Sequence, residues 1–371
     1  MHRLASLALV VSVGFTASAC SSAKKDAATS TTTANPSGAT TTAKGAANAA
    51  ADVTATLNAS GSTFTKPYLD EAIAAFPDVA GGVTINYGGG GSGKGRQDLA
   101  DQVTDFAGSD GLIKADDKAK FKGGEVLYFP TVAAPITLSF NVKGVTSLKL
   151  DGDTVAKIFQ RTVKTWDDPA IKALNPGATL PPTAITPAHR SDSSGTTENF
   201  TKFLVSASPT EWKLGAGSTV TWPADEQAGN GNAGVAQIVK QTDGAIGYVD
   251  FSDAKANKFS TAAIKNKTGA FVDPSLEGTS AALDKTTLGA DLSYNPLNAD
   301  GDKAYPIATP TWILVYAKQT DKNKGLAIKG FLQFLYSSDA QQIPGVVDYA
   351  TLPANYVAAA VAQIDKIQIP A

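Results

Sequence analysis

The feature that most constrains the fold of this chain is a repeated arrangement: an apolar, β-rich run ends in a glycine- and serine-rich turn, and a helical pattern follows. Residues 54–59 and 83–87 are two such runs, and residues 244–249 form a further strand after a helical segment. Strands that alternate with helices are typical of a largely parallel sheet, whose ligand sites lie at the carboxyl ends of the strands. The sequence therefore predicts an α/β fold with its functional residues in turns.

The composition is that of a globular protein with appended ends. At 371 residues and 43% hydrophobic, the chain is long enough for two domains. A formal net charge of −2 gives no basic footprint, so nucleic acid is not expected as a partner. The chain has one cysteine, so it cannot form an intramolecular disulfide. With two histidines in addition, it has too few ligands for a cysteine- or histidine-rich metal site. We expect no cofactor.

Residues 1–20 have the pattern of a secretory signal. A charged start precedes an apolar run at residues 4–15, and small residues then lead to Cys20. A cysteine in this position is similar to the lipobox of bacterial lipoproteins, in which the cysteine is acylated, although Ala17 stands where that pattern usually has leucine. We predict lipidation of Cys20 and a lipid anchor as the sole membrane attachment. The alternative is a plain signal peptide that leaves a free thiol.

Residues 21–52 are predicted to be a flexible tether. They are rich in alanine, threonine, serine, glycine and asparagine, and no apolar periodicity survives in them. Such a segment cannot bury enough apolar area to fold. The folded part is expected to begin near Val53.

Residues 190–200 are interpreted as an anion-binding entrance to a helix. Arg190 supplies a planar guanidinium that matches a tetrahedral oxyanion. Ser194, Gly195 and Thr196 add two hydroxyls and closely spaced N–H groups at a predicted helix N-terminus. An ordinary N-cap remains the alternative, because any helix start favours serine or threonine before an apolar face.

Two turns nearer the N-terminus present similar groups. The Thr63 hydroxyl and the Phe64 N–H are expected at a helix start, and Ser92 lies in a glycine run after the second strand. That run has the spacing of a nucleotide-binding P-loop, but Gly95 stands where the motif needs serine or threonine for magnesium. The sequence therefore favours a small anion over a nucleotide. A common turn without function is the alternative at Thr63.

Asp110 follows a third strand and places a carboxylate beside these anion-binding turns. A carboxylate can accept a hydrogen bond from a protonated oxyanion such as hydrogen phosphate, whereas sulfate would meet only repulsion. The alternative is that Asp110 caps a turn.

Considered together, these segments resemble the extracytoplasmic phosphate-binding proteins of bacterial phosphate ABC transporters, the PstS type. The resemblance covers nearly the whole chain after the tether, and its motifs keep their order and spacing at residues 61–64, 86–95, 105–110, 166–168, 189–196, 244–249, 305–307 and 348–353. It implies inorganic phosphate as the ligand. The positions that match the family's ligands are Thr63, Phe64 through its N–H, Ser92, Asp110, Arg190, Ser194, Gly195 through its N–H, and Thr196. Asp192 matches the carboxylate that orients the arginine.

Departures from the family pattern lie beside the site. They are Ser62 in the first turn, Gly93 and Lys94 in the glycine run, and Ser193, where glycine is frequent. We expect Lys94 to face solvent.

The resemblance also implies the architecture. It is an α/β fold of the type II periplasmic-binding-protein kind: two lobes, each a mixed, mostly parallel sheet flanked by helices, with two crossover strands as a hinge. Residues 53–135 and 305–371 are assigned to lobe 1, and residues 136–304 to lobe 2. A monomer outside the cytoplasmic membrane that delivers phosphate to ABC permease subunits is implied as well. Residues 252–300 are polar and receive no functional assignment.

Two other functions stay open from the residues alone. One is a receptor for another oxyanion, such as sulfate, molybdate or phosphonate. Asp110 argues against those of these ligands that carry no proton. The other is a secreted phosphatase or serine hydrolase with Ser194 as nucleophile and His189 as base. Against it, the sequence around Ser194 has no G-x-S-x-G elbow. The binding protein is favoured, and no catalytic residue is predicted.

Overall fold

The computed structural model of the protein describes residues 48–371. Residues 1–47, with Cys20 and most of the predicted tether, lie outside the described residues. Among residues 48–371, no helix combines the length and the apolar character needed to cross a membrane.

The described residues alternate strands and helices along most of their length, as the sequence predicts. The strands are β1 (Ala55–Gly61), β2 (Val83–Gly90), β3 (Phe106–Ser109), β4 (Val126–Asn141), β5 (Leu148–Leu150), β6 (Thr186–Arg190), β7 (Gln227–Gly229), β8 (Ala245–Asp250), β9 (Ser260–Lys265), β10 (Phe271–Val272) and β11 (Ala308–Tyr316). The helices are α1 (Lys66–Ala75), α2 (Ser92–Ala100), α3 (Gly152–Phe159), α4 (Pro169–Leu174), α5 (Gly195–Ala207), α6 (Gly231–Gln241), α7 (Phe251–Ala256), α8 (Leu276–Leu283), α9 (Lys322–Leu335), α10 (Ile343–Val346) and α11 (Ala354–Ile364). Short 3₁₀ turns lie at Phe76–Asp78, Ala115–Lys120 and Ala340–Gln342.

The strands form one continuous mixed sheet in the order β2-β1-β3-β11-β4-β8-β6-β7, with β9 also paired to β4. In lobe 1, β1, β2 and β3 run parallel, and β11 is antiparallel to β3 and β4. In lobe 2, β6, β7 and β8 run parallel, and β4 is antiparallel to β8. Both lobes are therefore mixed, and parallel and antiparallel strand pairs are equally frequent in each.

Strand β4 joins the two lobes. It pairs with β11 up to Pro135 and with β8 from Ile136 onward, so it changes partners at the position where the sequence divides the lobes. Apart from its two end residues the strand is buried throughout, which explains why its sequence is apolar without alternation. The register slips after Pro310, where the Thr311 hydroxyl donates to the Val132 carbonyl at 2.7 Å and replaces a regular ladder bond.

Aromatic side chains fill the core of each lobe. In lobe 1 the Phe76 ring packs edge-on against Phe331 at 5.2 Å, which fixes α9 and the end of α1 together. In lobe 2 the Phe200 ring stacks on Tyr248 at 4.5 Å and holds α5 against β8. Aromatic pairs of this kind add about 0.5–1.5 kcal/mol beyond their buried area. Helices α1 and α5, which follow two of the predicted anion-binding turns, are thus packed against other elements of their lobes.

The folded part begins earlier than the sequence predicts. The Asn48 side chain donates to the Gly330 carbonyl at 2.9 Å, the Ala49 N–H donates to Gln333 Oε1 at 2.8 Å, and Ala50 is fully buried. Residues 48–52, assigned to the tether by composition, therefore pack on α9. Small residues that are typical of linkers also fit a close contact against a helical glycine.

Residues 276–304, here named the hinge strap, also differ from the assignment of the whole segment to lobe 2. The Leu292 carbonyl accepts from the Trp312 indole at 3.0 Å, and the Tyr294 ring packs edge-on against Tyr356 at 5.1 Å, both in lobe 1. Asn298 then returns to lobe 2, where its side chain donates to Ser206 at 2.9 Å. The strap therefore contacts both lobes beside the crossover strands.

Candidate anion-binding site

The predicted site residues come together where the ends of strands and the starts of helices from both lobes meet. Thr63 and Phe64 lie between β1 and α1, Ser92 begins α2, and Asp110 follows β3. Arg190 ends β6, and residues 194–196 begin α5. The carboxyl ends of parallel strands thus carry the site, as expected for an α/β fold.

Arg190 is held in place by a carboxylate partner. It is 4% exposed, and its Nε donates to Asp192 Oδ1 at 2.8 Å while Nη2 donates to Asp192 Oδ2. Its Nη1 donates to Thr196 Oγ1 at 3.2 Å. Burial of the Asp192 carboxyl raises its pKa, but the hydrogen bonds and charge of Arg190 outweigh burial and hold that pKa below its usual value. The fork geometry fixes the guanidinium, as the sequence predicts.

Asp110 is a buried carboxyl with spare acceptor capacity. It is 1% exposed, and its Oδ1 has no hydrogen-bond partner among the described residues. Burial raises the pKa of Asp110 to about 6, although the hydroxyls of Ser62 and Ser92 and the charges of Arg190 and Arg96 act to lower it. An ionised carboxylate therefore persists at neutral pH beside these donors, and its unpartnered oxygen can accept a proton-bearing ligand group.

Ser92, Asp110 and Gly195 pack tightly across the two lobes. The Ser92 hydroxyl donates to Asp110 Oδ2 at 3.2 Å and accepts from the Asp110 N–H at 3.0 Å. A Cβ on Gly195 would lie 2.3 Å from Ser92 Oγ and 2.6 Å from Asp110 Oδ2. Only glycine fits here, because any side chain would overlap Ser92 and Asp110 of the opposite lobe.

Ser194 caps helix α5, and this role is compatible with a role in anion binding. Its Oγ accepts from the Thr197 N–H at 3.1 Å, the usual N-cap bond. Because the oxygen acts as the acceptor in that bond, the hydroxyl proton remains available for donation. The buried Ser194 side chain can therefore cap the helix and contact an anion.

The first turn differs in one respect from the ligand set that the resemblance implies. Phe64 is fully buried, and its N–H donates to Ser62 Oγ at 3.0 Å instead of pointing to an open position. Ser62, one of the departures from the family pattern, thus takes part in the geometry of the turn. Thr63 lies at the interface between the lobes, where its Oγ1 accepts from Asn232.

Three groups that the sequence did not single out also connect the lobes at the site. Asn232 contacts Thr63 and Thr196, and the Asn199 side chain donates to the Asp110 carbonyl at 2.6 Å. Arg96 forms an ion pair with Glu198 at 3.3 Å. The glycine- and asparagine-rich run at residues 229–234, which contains Asn232, is the available sequence signal, but by itself it indicates only a helix start. The ion pair had no signal, because its partners are 102 residues apart.

The glycine run of lobe 1 lies against the Asp192–Ser193 loop of lobe 2. The Gly93 N–H donates to the Ser193 carbonyl at 2.9 Å, and a Cβ on Gly93 would lie within 1.9 Å of Ser193 Oγ. Two departures from the family pattern therefore contact each other. Lys94 points away and pairs with Asp98 at its half-exposed amine, in agreement with the expected solvent orientation.

Groups for other chemistries are not assembled in the part of the chain that the structure describes. No cluster of three or more histidine, cysteine, aspartate or glutamate side chains there could hold a metal ion. The His189 ring stacks on Trp222 at 5.1 Å, and its Nδ1 contacts the Arg190 carbonyl at 3.0 Å. Within residues 48–371, no hydrogen bond joins His189 to Ser194.

Comparison with known proteins identifies the family. A model described as a PBP superfamily domain matches residues 16–339. Phosphate-binding protein PstS 3 of Mycobacterium leprae is 38% identical over 293 residues, which cover 75% of this chain and 78% of that protein. The chain belongs to the PstS family. Phosphate-binding protein PstS of Methanocaldococcus jannaschii is 36% identical over 322 residues, which cover 80% of this chain and 82% of that protein.

Solved structures share the fold of this PstS-family chain. The high-affinity periplasmic phosphate-binding protein PfluDING, solved with bound phosphate, aligns with a TM-score of 0.70 at 20% identity, covering 83% of this chain and 94% of that one. A phosphate-binding protein from Stenotrophomonas maltophilia aligns with a TM-score of 0.67 at 20% identity, with the same coverage. The likeness confirms the predicted two-lobe α/β fold.

Proposed function

We propose that this PstS-family protein captures inorganic phosphate outside the cytoplasmic membrane and delivers it to the membrane subunits of an ABC permease. The observation that carries the proposal is Asp110, a buried carboxyl with one unpartnered oxygen among hydrogen-bond donors from both lobes. A receptor for a partly protonated oxyanion needs one acceptor among many donors.

The donors suit the remaining oxygens of such an anion. Arg190 brings a fixed positive charge, and Thr63, Ser194 and Thr196 bring hydroxyls from opposite lobes. The Ser92 hydroxyl donates to Asp110 in this structure, so it would donate to the anion after rotation about its Cβ–Oγ bond. Charge-assisted hydrogen bonds are strong in a cleft from which water is excluded. Sulfate has no proton to offer Asp110 at neutral pH, so the same carboxylate would repel it. We therefore infer selectivity for phosphate over sulfate.

Binding accounts for the site better than catalysis does. A serine nucleophile needs a base within hydrogen-bond reach, and His189 instead stacks on Trp222 while Ser194 caps α5. The donor-rich cleft is suited to holding an anion without a reaction.

The route to the membrane remains part of the proposal. Lipidation of Cys20 would hold the protein at the outer face of the membrane, and residues 21–47 would give the folded part reach. We also propose that the protein acts as a monomer, since both lobes supply the ligands from a single chain.

The test compares phosphate and sulfate binding in three variants by isothermal titration. Arg190→Ala removes the buried charge and should weaken phosphate binding by at least about 30-fold, since the loss of one member of a buried charged set costs roughly 2–5 kcal/mol. Asp110→Asn should reduce the preference for phosphate over sulfate. Lys94→Ala, a nearby cation outside the site, should stay within about threefold of the unsubstituted protein. Undiminished tight and selective binding in both site variants would reject the proposal.

A further inference from the structure

Asn232 lies at the contact between the lobes, and neither its sequence context nor the ligand set implied by the resemblance gives it a role. It is the second residue of α6 and is 1% exposed. Its neighbour Gly231 has a φ of +67°, a left-handed conformation that favours glycine, and the Gly231 N–H donates to Asp192 Oδ1 at 3.0 Å. The start of α6 is therefore tied to the carboxylate that orients Arg190.

The Asn232 side chain contacts one predicted ligand from each lobe. Its Nδ2 donates to Thr63 Oγ1 at 3.2 Å and to Thr196 Oγ1 at 3.3 Å. Its backbone N–H also donates to Thr63 Oγ1, at 3.3 Å. One amide thus bridges hydroxyls that lie 133 positions apart in the sequence and belong to opposite lobes.

The direction of these bonds determines what the two hydroxyls can do. A threonine oxygen that accepts a hydrogen bond keeps its own proton for donation to another group. Thr196 Oγ1 also accepts from Arg190 Nη1, so two of its bonds are already incoming. With incoming donors in place, both threonines are set to act as donors to an anion.

A purely structural role would not explain the environment of the Asn232 side-chain oxygen. Its Oδ1 is buried and has no hydrogen-bond partner among the described residues. An unsatisfied buried acceptor is destabilising, so the orientation of the amide is not explained by folding alone. Such groups concentrate where a site serves a ligand.

We propose that Asn232 is a positioning residue for the anion. It holds the hydroxyls of Thr63 and Thr196 as donors, and it does so only when the lobes are in contact, so it links closure to recognition of the ligand. The inference rests on the proposed phosphate-binding function and deepens it.

The experiment measures phosphate dissociation constants from pH 5.5 to 8 for the full chain. Asn232→Asp keeps the shape of the side chain but replaces its amide donors with acceptors. We expect a dissociation constant for phosphate that is at least 100-fold larger at pH 8. The loss should shrink towards pH 5.5, because burial of the new carboxyl favours its protonated form. Asp110 and Asp192 are present in all the proteins, so their own titration is common to the variant and the unsubstituted protein. Asn230→Asp, with the same substitution at an exposed residue two positions earlier, should stay within threefold at every pH.

Asn232→Ala provides a second variant that adds no charge. We expect about tenfold weaker binding, with the unfolding midpoint of the phosphate-free protein little changed. If both Asn232 variants bind within threefold of the unsubstituted protein and show its pH profile, this inference is wrong while the proposed function stands. If the unsubstituted protein does not bind phosphate, both are wrong.

Discussion

Asp110 has opposing effects on binding and on folding. Its carboxylate is what a protonated oxyanion requires, yet burial without full hydrogen bonding disfavours the ionised form, and its pKa rises to about 6. A folded-state pKa above the unfolded value means that the native protein binds the proton more tightly. The group therefore lowers the stability of the ligand-free protein as pH rises from about 4 through 6.

We predict that Asp110→Asn makes the phosphate-free protein more stable at pH 8, relative to the unsubstituted protein, than it does at pH 4. The shift from 3.8 to about 6 corresponds to at most about 3 kcal/mol in the difference between the two pH values. Urea unfolding of both proteins at each pH measures it. The pKa of Glu226 is raised to about 8, mainly by burial, but that group is present in both proteins and cancels in the comparison. Parallel stability curves would contradict the assigned burial of a carboxylate.

Individual site residues were predictable where local sequence carries the chemistry. Arg190, Ser194, Gly195 and Thr196 are close in sequence, so their joint role is a prediction from local sequence, whereas the role of Asp192 is implied by the resemblance. Asn232 was missed because its partners Thr63 and Thr196 are 169 and 36 residues away. Contacts over such separations depend on how the lobes meet, which no local pattern encodes.

At the scale of elements, closure depends on the fit between the glycine run after β2 and the loop after β6. Gly93 leaves room for the Ser193 side chain, and its N–H donates to the Ser193 carbonyl. A residue without a side chain in one lobe thus faces the serine side chain of the other lobe.

We predict that Gly93→Ala weakens phosphate binding about tenfold or more, because the added methyl group would overlap Ser193 Oγ and Cβ when the lobes meet. Ser193→Gly should recover at least half of the lost binding free energy in the double variant, since it removes both overlapping atoms. Titration of the two single variants and the double variant measures the coupling. Additive effects would show that the two residues do not meet in the bound protein.

Element types were more predictable than their roles in the fold. The apolar runs at residues 128–132 and 136–141 are typical of strands, and they form one long strand, β4, whose residues are buried on both faces. The hinge strap was not expected. Its sequence is mostly polar, but a few of its side chains pack into lobe 1. One is Tyr294, whose partners Trp312 and Tyr356 come later in the chain.

At the scale of the whole molecule, two lobes share strand β4, and polar groups of both lobes meet between them. The fold class followed from alternating strands and helices and is confirmed by the solved relatives. The ligand set remains a prediction, and its central claim is that the cleft discriminates between oxyanions by protonation.

The most direct test is isothermal titration of the purified protein with phosphate at neutral pH and physiological salt, in the presence and absence of excess sulfate. Bound phosphate must first be removed, and folding of the stripped sample must be verified. We expect micromolar or tighter binding of phosphate that excess sulfate leaves unchanged. No phosphate binding by a folded, stripped sample, or displacement of phosphate by sulfate, would contradict the account.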